Sequence, residues 1–172
     1  MKRLSIAAAL LLAPAPAMAQ GQKPCTDPVF DDFDFWVGDW DVTGPGGKIA
    51  GTNSIAKEEY GCLLVERWTS AGGITGQSYN FVDLAAGKWR QVWVSAGATI
   101  DYSGGLDDKG RMVLDGVIGY PPGATPANAK FRGTWTPNAD GTVTQHFQQY
   151  DPAKEEWTDW FVGTYTRRKA AE

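Results

Sequence analysis

The stretch FDFWVGDWDV, residues 33–42, places Trp36 and Trp40 four apart around Gly38, with Asp34, Asp39 and Asp41 among them. Four apart is one turn of a helix, and it is also two pleats of a strand. As a strand, Trp36, Gly38, Trp40 and Val42 share one face, and Val37, Asp39, Asp41 and Thr43 take the other. That is a period of two with the polar set outside. A helix would bury Gly38 in mid-element and wrap aspartates around the apolar stripe, at a cost in propensity. The strand reading is the better one, and it ends at the turn cluster Gly44-Pro45-Gly46-Gly47.

The same alternation recurs to the C-terminus. Further strands are expected over residues 48–56, 62–69, 75–84, 88–95, 99–105, 111–119, 129–135, 142–150 and 156–167. Between them lie DLAAGK, LDDKGR, TPNADGT and YDPAKEE, which read as hairpin turns. PPGATPAN, residues 121–128, is the longest connection. Only residues 27–33 suggest a helical turn. Ten strands joined by short turns make an up-and-down antiparallel meander, and such a sheet leaves two bare edges unless it closes. The expected fold is therefore all-β, a single barrel of eight to ten strands closed around an aromatic interior.

The first nineteen residues, MKRLSIAAALLLAPAPAMA, have the form of a secretory signal peptide. Lys2 and Arg3 precede a short apolar run, and Ala17-Met18-Ala19 is a small-x-small cleavage site. Cleavage after Ala19 predicts a periplasmic or secreted barrel domain over residues 20–172, with an irregular tail over 20–32. No lipobox precedes Cys25, so no membrane anchor is expected. Without Lys2 and Arg3, 14 basic residues face 20 acidic ones, a net charge of −6. No basic block tracks phosphates, which argues against nucleic acid as a partner. Cys25 and Cys62, an even pair in an exported chain, are expected to form a disulfide.

Gly38-Asp39-Trp40 on a first barrel strand resembles the G-x-W of the lipocalins, within the calycin group that includes the fatty-acid-binding proteins. That resemblance implies that Trp40 plugs the closed end of the barrel and that Arg167 or Arg168 packs across its ring. A closer likeness spans nearly all of residues 20–172. FDFWVGDWDV, GCLLVERW, GQSYNFVD, KWRQVWV, VTQHF and EWTDWFVGTYTRR, in that order, look like a bacterial family of unknown function thought to form calycin-like barrels. The likeness implies a fold and no activity. The chain departs from that pattern at Tyr150-Asp151-Pro152, a hairpin tip.

Strand parity also singles out polar residues that share faces with core aromatics. Trp89, Gln91 and Trp93 lie together on the fifth strand, and Leu64, Glu66 and Trp68 on the third. If those faces turn inward, Glu66 and Gln91 are buried, and a buried carboxylate is costly unless it is hydrogen-bonded or paired. Asn80, Tyr102, Arg132, Gln145 and Tyr165 are candidate partners. The group is either a polar patch that orients a small ligand in an aromatic pocket or a structural network that satisfies itself. The leading expectation is a non-catalytic barrel that binds a small apolar or aromatic molecule. Trp36, Trp40, Trp68, Trp89, Trp93 and Trp135 would line or floor the cavity, with Glu66, Asn80, Gln91, Gln145 and Tyr165 supplying hydrogen bonds.

The first alternative is an isomerase or lyase using Glu66 as acid or base. The second is a glycan-binding module presenting Trp157 or Trp160 as a stacking platform. His146, the one histidine, is a second catalytic candidate and a conceivable haem ligand, but Thr144, Gln148 and Tyr150 on its face are polar. The plainer reading is a solvent-facing strand residue, and no cofactor is expected. One histidine does not make a multi-histidine metal centre. The pairs Asp31-Asp32, Glu58-Glu59, Asp107-Asp108 and Glu155-Glu156 fall mostly at turns, where solvated charge explains them.

Overall fold

A computed structural model describes residues 24–169. The proposed signal peptide, residues 1–19, lies outside them. The described residues form β1 (Gly38–Thr43), β2 (Ile49–Glu58), β3 (Leu63–Ser70), β4 (Thr75–Asp83) and β5 (Lys88–Ser95), then β6 (Thr99–Leu106), β7 (Met112–Gly119), β8 (Asn128–Pro137), β9 (Val143–Asp151) and β10 (Glu156–Arg167). Each strand pairs antiparallel with its sequence neighbour, and β1 pairs with β10, so the ten strands close. The fold is an up-and-down barrel of the calycin-like kind. Closure matters physically because it leaves no unpaired edge to recruit another chain.

The opening segment differs from the sequence expectation at one point. Residues Asp34–Trp36 form a single 3-10 turn, and the strand begins only at Gly38. A second 3-10 turn, Pro28–Asp31, precedes it and is capped by the Asp27 side chain, which accepts from the Val29 amide at 3.1 Å. A 3-10 turn places residues three apart on one side. Phe33 and Trp36 therefore stack, ring centroids 4.9 Å apart, and both are fully buried. The segment folds across one mouth of the barrel instead of continuing as wall.

Four tethers hold this plug. Cys25 and Cys62 form the expected disulfide. Lys57 Nζ on β2 donates to Asp31 at 2.6 Å and to Asp34 at 2.7 Å. The Trp89 indole on β5 donates to the Val29 carbonyl at 3.0 Å, and the Trp40 indole to the Trp36 carbonyl at 2.9 Å. Beneath the plug lie Trp89, Trp135, Met112 and Leu114, all buried.

Trp40 and Arg167 meet as the lipocalin likeness implies. The guanidinium carbon lies 4.3 Å from the ring centroid, and Nη1 donates to the Val37 carbonyl at 3.0 Å. Such cation–π packing contributes about 0.5–2 kcal/mol. It also fixes Gly38, whose φ is +135° and where a Cβ would lie 2.5 Å from Arg167 Nη1.

Strand direction assigns the connections to two ends. Residues 59–62, 84–87, 107–111 and 138–142 surround the plugged end. Residues 44–48, 71–74, 96–98, 120–127 and 152–155 surround the other. The interior accordingly has three layers: an aromatic plug, a polar belt, and a half-buried aromatic funnel toward the second end.

Candidate functional site

The polar belt follows from side-chain alternation. Asn53 on β2, Glu66 on β3, Ser78 and Asn80 on β4, Gln91 on β5 and Gln145 on β9 all point inward and are buried, as do Tyr102 on β6 and Tyr165 on β10. Their hydrogen bonds join into one chain across seven strands. The Tyr102 hydroxyl donates to Gln91 Oε1, and Gln91 Nε2 donates to Asn80 Oδ1. Asn80 Nδ2 donates to Ser78 Oγ at 2.9 Å, and Ser78 Oγ to Glu66 Oε2 at 2.6 Å. From the other side, Asn53 Nδ2 donates to Glu66 Oε1 at 2.7 Å and to Tyr165 Oη at 3.2 Å. Tyr165 Oη donates to Gln145 Oε1 at 2.8 Å.

The donor direction runs from Tyr102 to Glu66, and Asn53 donates to the other oxygen. Glu66 accepts at both oxygens and donates to no belt member, an arrangement suited to a carboxylate, while the Tyr165 branch ends at Gln145 Oε1. Among the described residues no lysine, arginine or histidine forms an ion pair with it. Burial pushes the Glu66 carboxyl up to about 7, against the downward pull of the Ser78 and Asn53 hydrogen bonds. Burial, and then the proximity of Glu66, also raises the Tyr102 and Tyr165 phenols well above their ordinary range, so both remain donors.

Stability should therefore fall as pH rises. The unfolded carboxyl titrates near 4.5 and the folded one near 7. Between these values the folded state holds a proton that the unfolded state has lost. The stabilisation is complete below the unfolded value and is lost as pH passes the folded one. The span corresponds to about 3 kcal/mol. Chemical denaturation from pH 4.5 to 8 should show that decline in the wild type relative to Glu66→Gln, whose neutral amide cannot titrate. Parallel pH profiles for the two proteins would contradict a buried, uncompensated Glu66.

Above the belt a cavity of about 310 Å³ opens toward the unplugged end. Glu66, Gln91, Tyr102, Gln145 and Tyr165 form its floor; Trp68, Trp93, Phe147, Trp160 and Phe161 form much of its wall. Ile74 and Ala98, from the turns after β3 and β5, sit at the rim. The volume is at the low end of the range for small-molecule sites. Glu66 is the one ionisable carboxyl in the lining, which contains no basic side chain.

The residues singled out from sequence separate into four groups. Glu66, Trp68, Gln91, Trp93, Gln145 and Tyr165 line the cavity. Asn80 belongs to the belt behind it. Trp36, Trp40, Trp89 and Trp135 do not reach it; they pack the plugged end, and their role is structural. Arg132 is on the outer wall, paired with Asp115 at 2.7 Å and stacked 4.5 Å from the Trp157 ring centroid. It is therefore not a partner of the interior group.

His146 also faces outward, with Nε2 2.6 Å from Asp159 Oδ1. It is not part of the cavity lining and does not approach Glu66. Among the described residues no group of three or more His, Cys, Asp and Glu is placed to hold a metal ion.

Asn53, Ser78 and Phe161 complete the site but escaped the sequence reading, and Trp160, expected only as an exposed stacking platform, joins them in the cavity wall. Ser78 shares parity with Asn80, so its inward direction was readable. Trp160 and Phe161 could not both face inward in a regular strand. A bulge between Asp159 and Phe161 inserts one residue, so Phe161 pairs with inward Phe147 while Trp160 also reaches the mouth. Trp157, before the bulge, pairs with outward Tyr150.

Compared with known proteins, the chain matches no family model, and no curated protein matches it.

Proposed function

We propose that this protein is an exported, non-catalytic barrel that binds a small, largely apolar or aromatic molecule in the cavity above Glu66. The observation that carries the reading is the combination of aromatic walls with a preformed, hydrogen-bonded polar floor. An apolar body gains by leaving water, and the few fixed polar groups orient it. The Cys25–Cys62 disulfide suits an oxidising compartment, which supports a periplasmic or secreted location. Among the described residues no helix is long and apolar enough to cross a membrane.

The test is intrinsic tryptophan fluorescence against a panel of fatty acids, aromatic heterocycles and tetrapyrroles. At least one member should change the emission saturably. Ala98→Trp, which fills the mouth from a turn, should abolish that change. No response to any member, or unaltered binding by Ala98→Trp, would contradict the reading.

One observation favours a second reading. Glu66 borders a cavity with its carboxyl held near 7, as a general acid or base would require. An isomerase or lyase would then use Glu66 as its catalytic residue. The glycan alternative has less support, because Trp160, 47% exposed, sits on the rim of a deep cavity and Trp157 is covered by Arg132.

A further inference from the structure

We infer that the ligand is an organic ammonium ion with an aromatic or apolar body, its N–H groups donating to Glu66 and its charge facing the surrounding rings. This rests on the ligand-binding reading and specifies the class of molecule.

Glu66 is 4% exposed and receives two hydrogen bonds from neutral donors, and no lysine, arginine or histidine among the described residues pairs with it. A buried carboxylate without a counter-charge is an expensive arrangement. The groups facing it are Asn53 from β2, Ser78 from β4, and the hydroxyls of Tyr102 and Tyr165 from β6 and β10. The two phenols are the titratable ones among them, and neither supplies positive charge. Lys57 and Arg67, on β2 and β3, are committed elsewhere, to Asp31 and Asp34 and to Glu58. Below about pH 7 the carboxyl can stay neutral by keeping its proton; above it, the occupant is the remaining source of the opposite charge.

The walls are suited to such an occupant. Trp68, Trp93, Phe147, Trp160 and Phe161 line the same cavity as the carboxyl. Aromatic faces attract organic cations electrostatically, and the attraction is strongest where water is excluded. Each Glu66 oxygen accepts one hydrogen bond from the belt, whereas an ionised carboxylate has about four acceptor positions, so capacity remains for ligand N–H groups. A bare metal ion fits poorly, because one carboxylate and uncharged amide and phenol groups give it too few anionic ligands.

Three ligands sharing an indole ring separate the possibilities: tryptamine, a cation; tryptophol, its neutral alcohol; and indole-3-acetate, an anion. Binding to the full-length mature protein is measured by calorimetry from pH 5 to 8. The ammonium group stays protonated across that window. At pH 8 tryptamine should bind roughly 10- to 100-fold more tightly than tryptophol, as expected for a charge-assisted hydrogen bond with cation–π contact. Indole-3-acetate should bind most weakly.

Tryptamine affinity should drop about tenfold per pH unit below 7, because its site must first lose the Glu66 proton. Tryptophol should change little. Glu66→Gln should remove both the preference and the pH dependence, and the wild-type pH profile tests the same point without any variant. Tryptophol binding as tightly as tryptamine at pH 8 would overturn the ammonium inference and leave the ligand-binding reading standing. Binding of none of the three, together with no response in the fluorescence panel, would overturn both.

Discussion

Trp36→Ala is expected to destabilise the protein by about 4 kcal/mol, in the range for large aromatic truncations in cores. Trp36 is fully buried, stacks on Phe33, and touches Trp135 with centroids 5.5 Å apart. Its own indole nitrogen has no hydrogen-bond partner among the described residues, so the loss is one of packing and cavity formation. The carbonyl that accepts from Trp40 belongs to the backbone and survives the substitution. For a domain of this size the melting temperature should fall by about 8–16 °C.

Trp160→Ala provides the contrast. That ring is half-exposed at the mouth, so its removal should leave stability within about 1 kcal/mol while weakening ligand binding. Equal stabilities for the two variants would contradict the division into a packed plug and an open funnel.

Removal of the disulfide, by reduction or by Cys25→Ala with Cys62→Ala, should cost a similar amount. The cysteines are 37 residues apart in sequence. In the chain-entropy model, opening a loop of that length costs about 4 kcal/mol. What the bridge secures is the plug. Cys25 precedes both 3-10 turns, and Cys62 closes the turn just before β3, so opening the bridge leaves the segment held by Lys57, two indole hydrogen bonds and apolar contact.

The bridge and Trp36 act on the same segment, and their effects should therefore not add. In the reduced protein Trp36→Ala should cost less than in the oxidised one, because the plug is already partly released. Denaturant titration of the four combinations measures the coupling. Strict additivity would mean that the disulfide stabilises something other than the seating of Trp36.

The sequence made the ten strands legible because each inward face carries apolar or aromatic residues at a period of two and each turn carries glycine, proline or asparagine. The even cysteine count likewise predicted the pairing of Cys25 with Cys62. Parity also brought Glu66, Gln91, Gln145 and Tyr165 together, since the side of a strand follows directly from residue number.

Parity gave no depth, however. Trp89 and Trp93 share the inward face of β5, but four residues span about 13 Å along a strand. One packs under the plug and the other lines the cavity. Which end of the barrel closes depends on the Phe33–Trp36 stack, and the spacing of those two rings fits a 3-10 turn that the strand pattern concealed. Chemistry alone groups Arg132 with the interior, but its neighbours Phe131 and Gly133 take the inward positions, while Asp115 and Trp157 hold it outside. Trp160 depended on a bulge, which shifts parity without a distinctive residue to announce it.

The central claim is that small molecules bind at the unplugged end, above the Glu66 belt. Indole N–H signals resolve it directly, because the chain's eight tryptophans are distributed between plug, cavity and outer wall. In a nitrogen–proton NMR titration with tryptamine, the signals of Trp68, Trp93 and Trp160 should move saturably, and those of Trp36, Trp40 and Trp89 should stay in place. Movement confined to the plug tryptophans or to Trp157 on the outer wall, with Trp68, Trp93 and Trp160 unmoved, would contradict it.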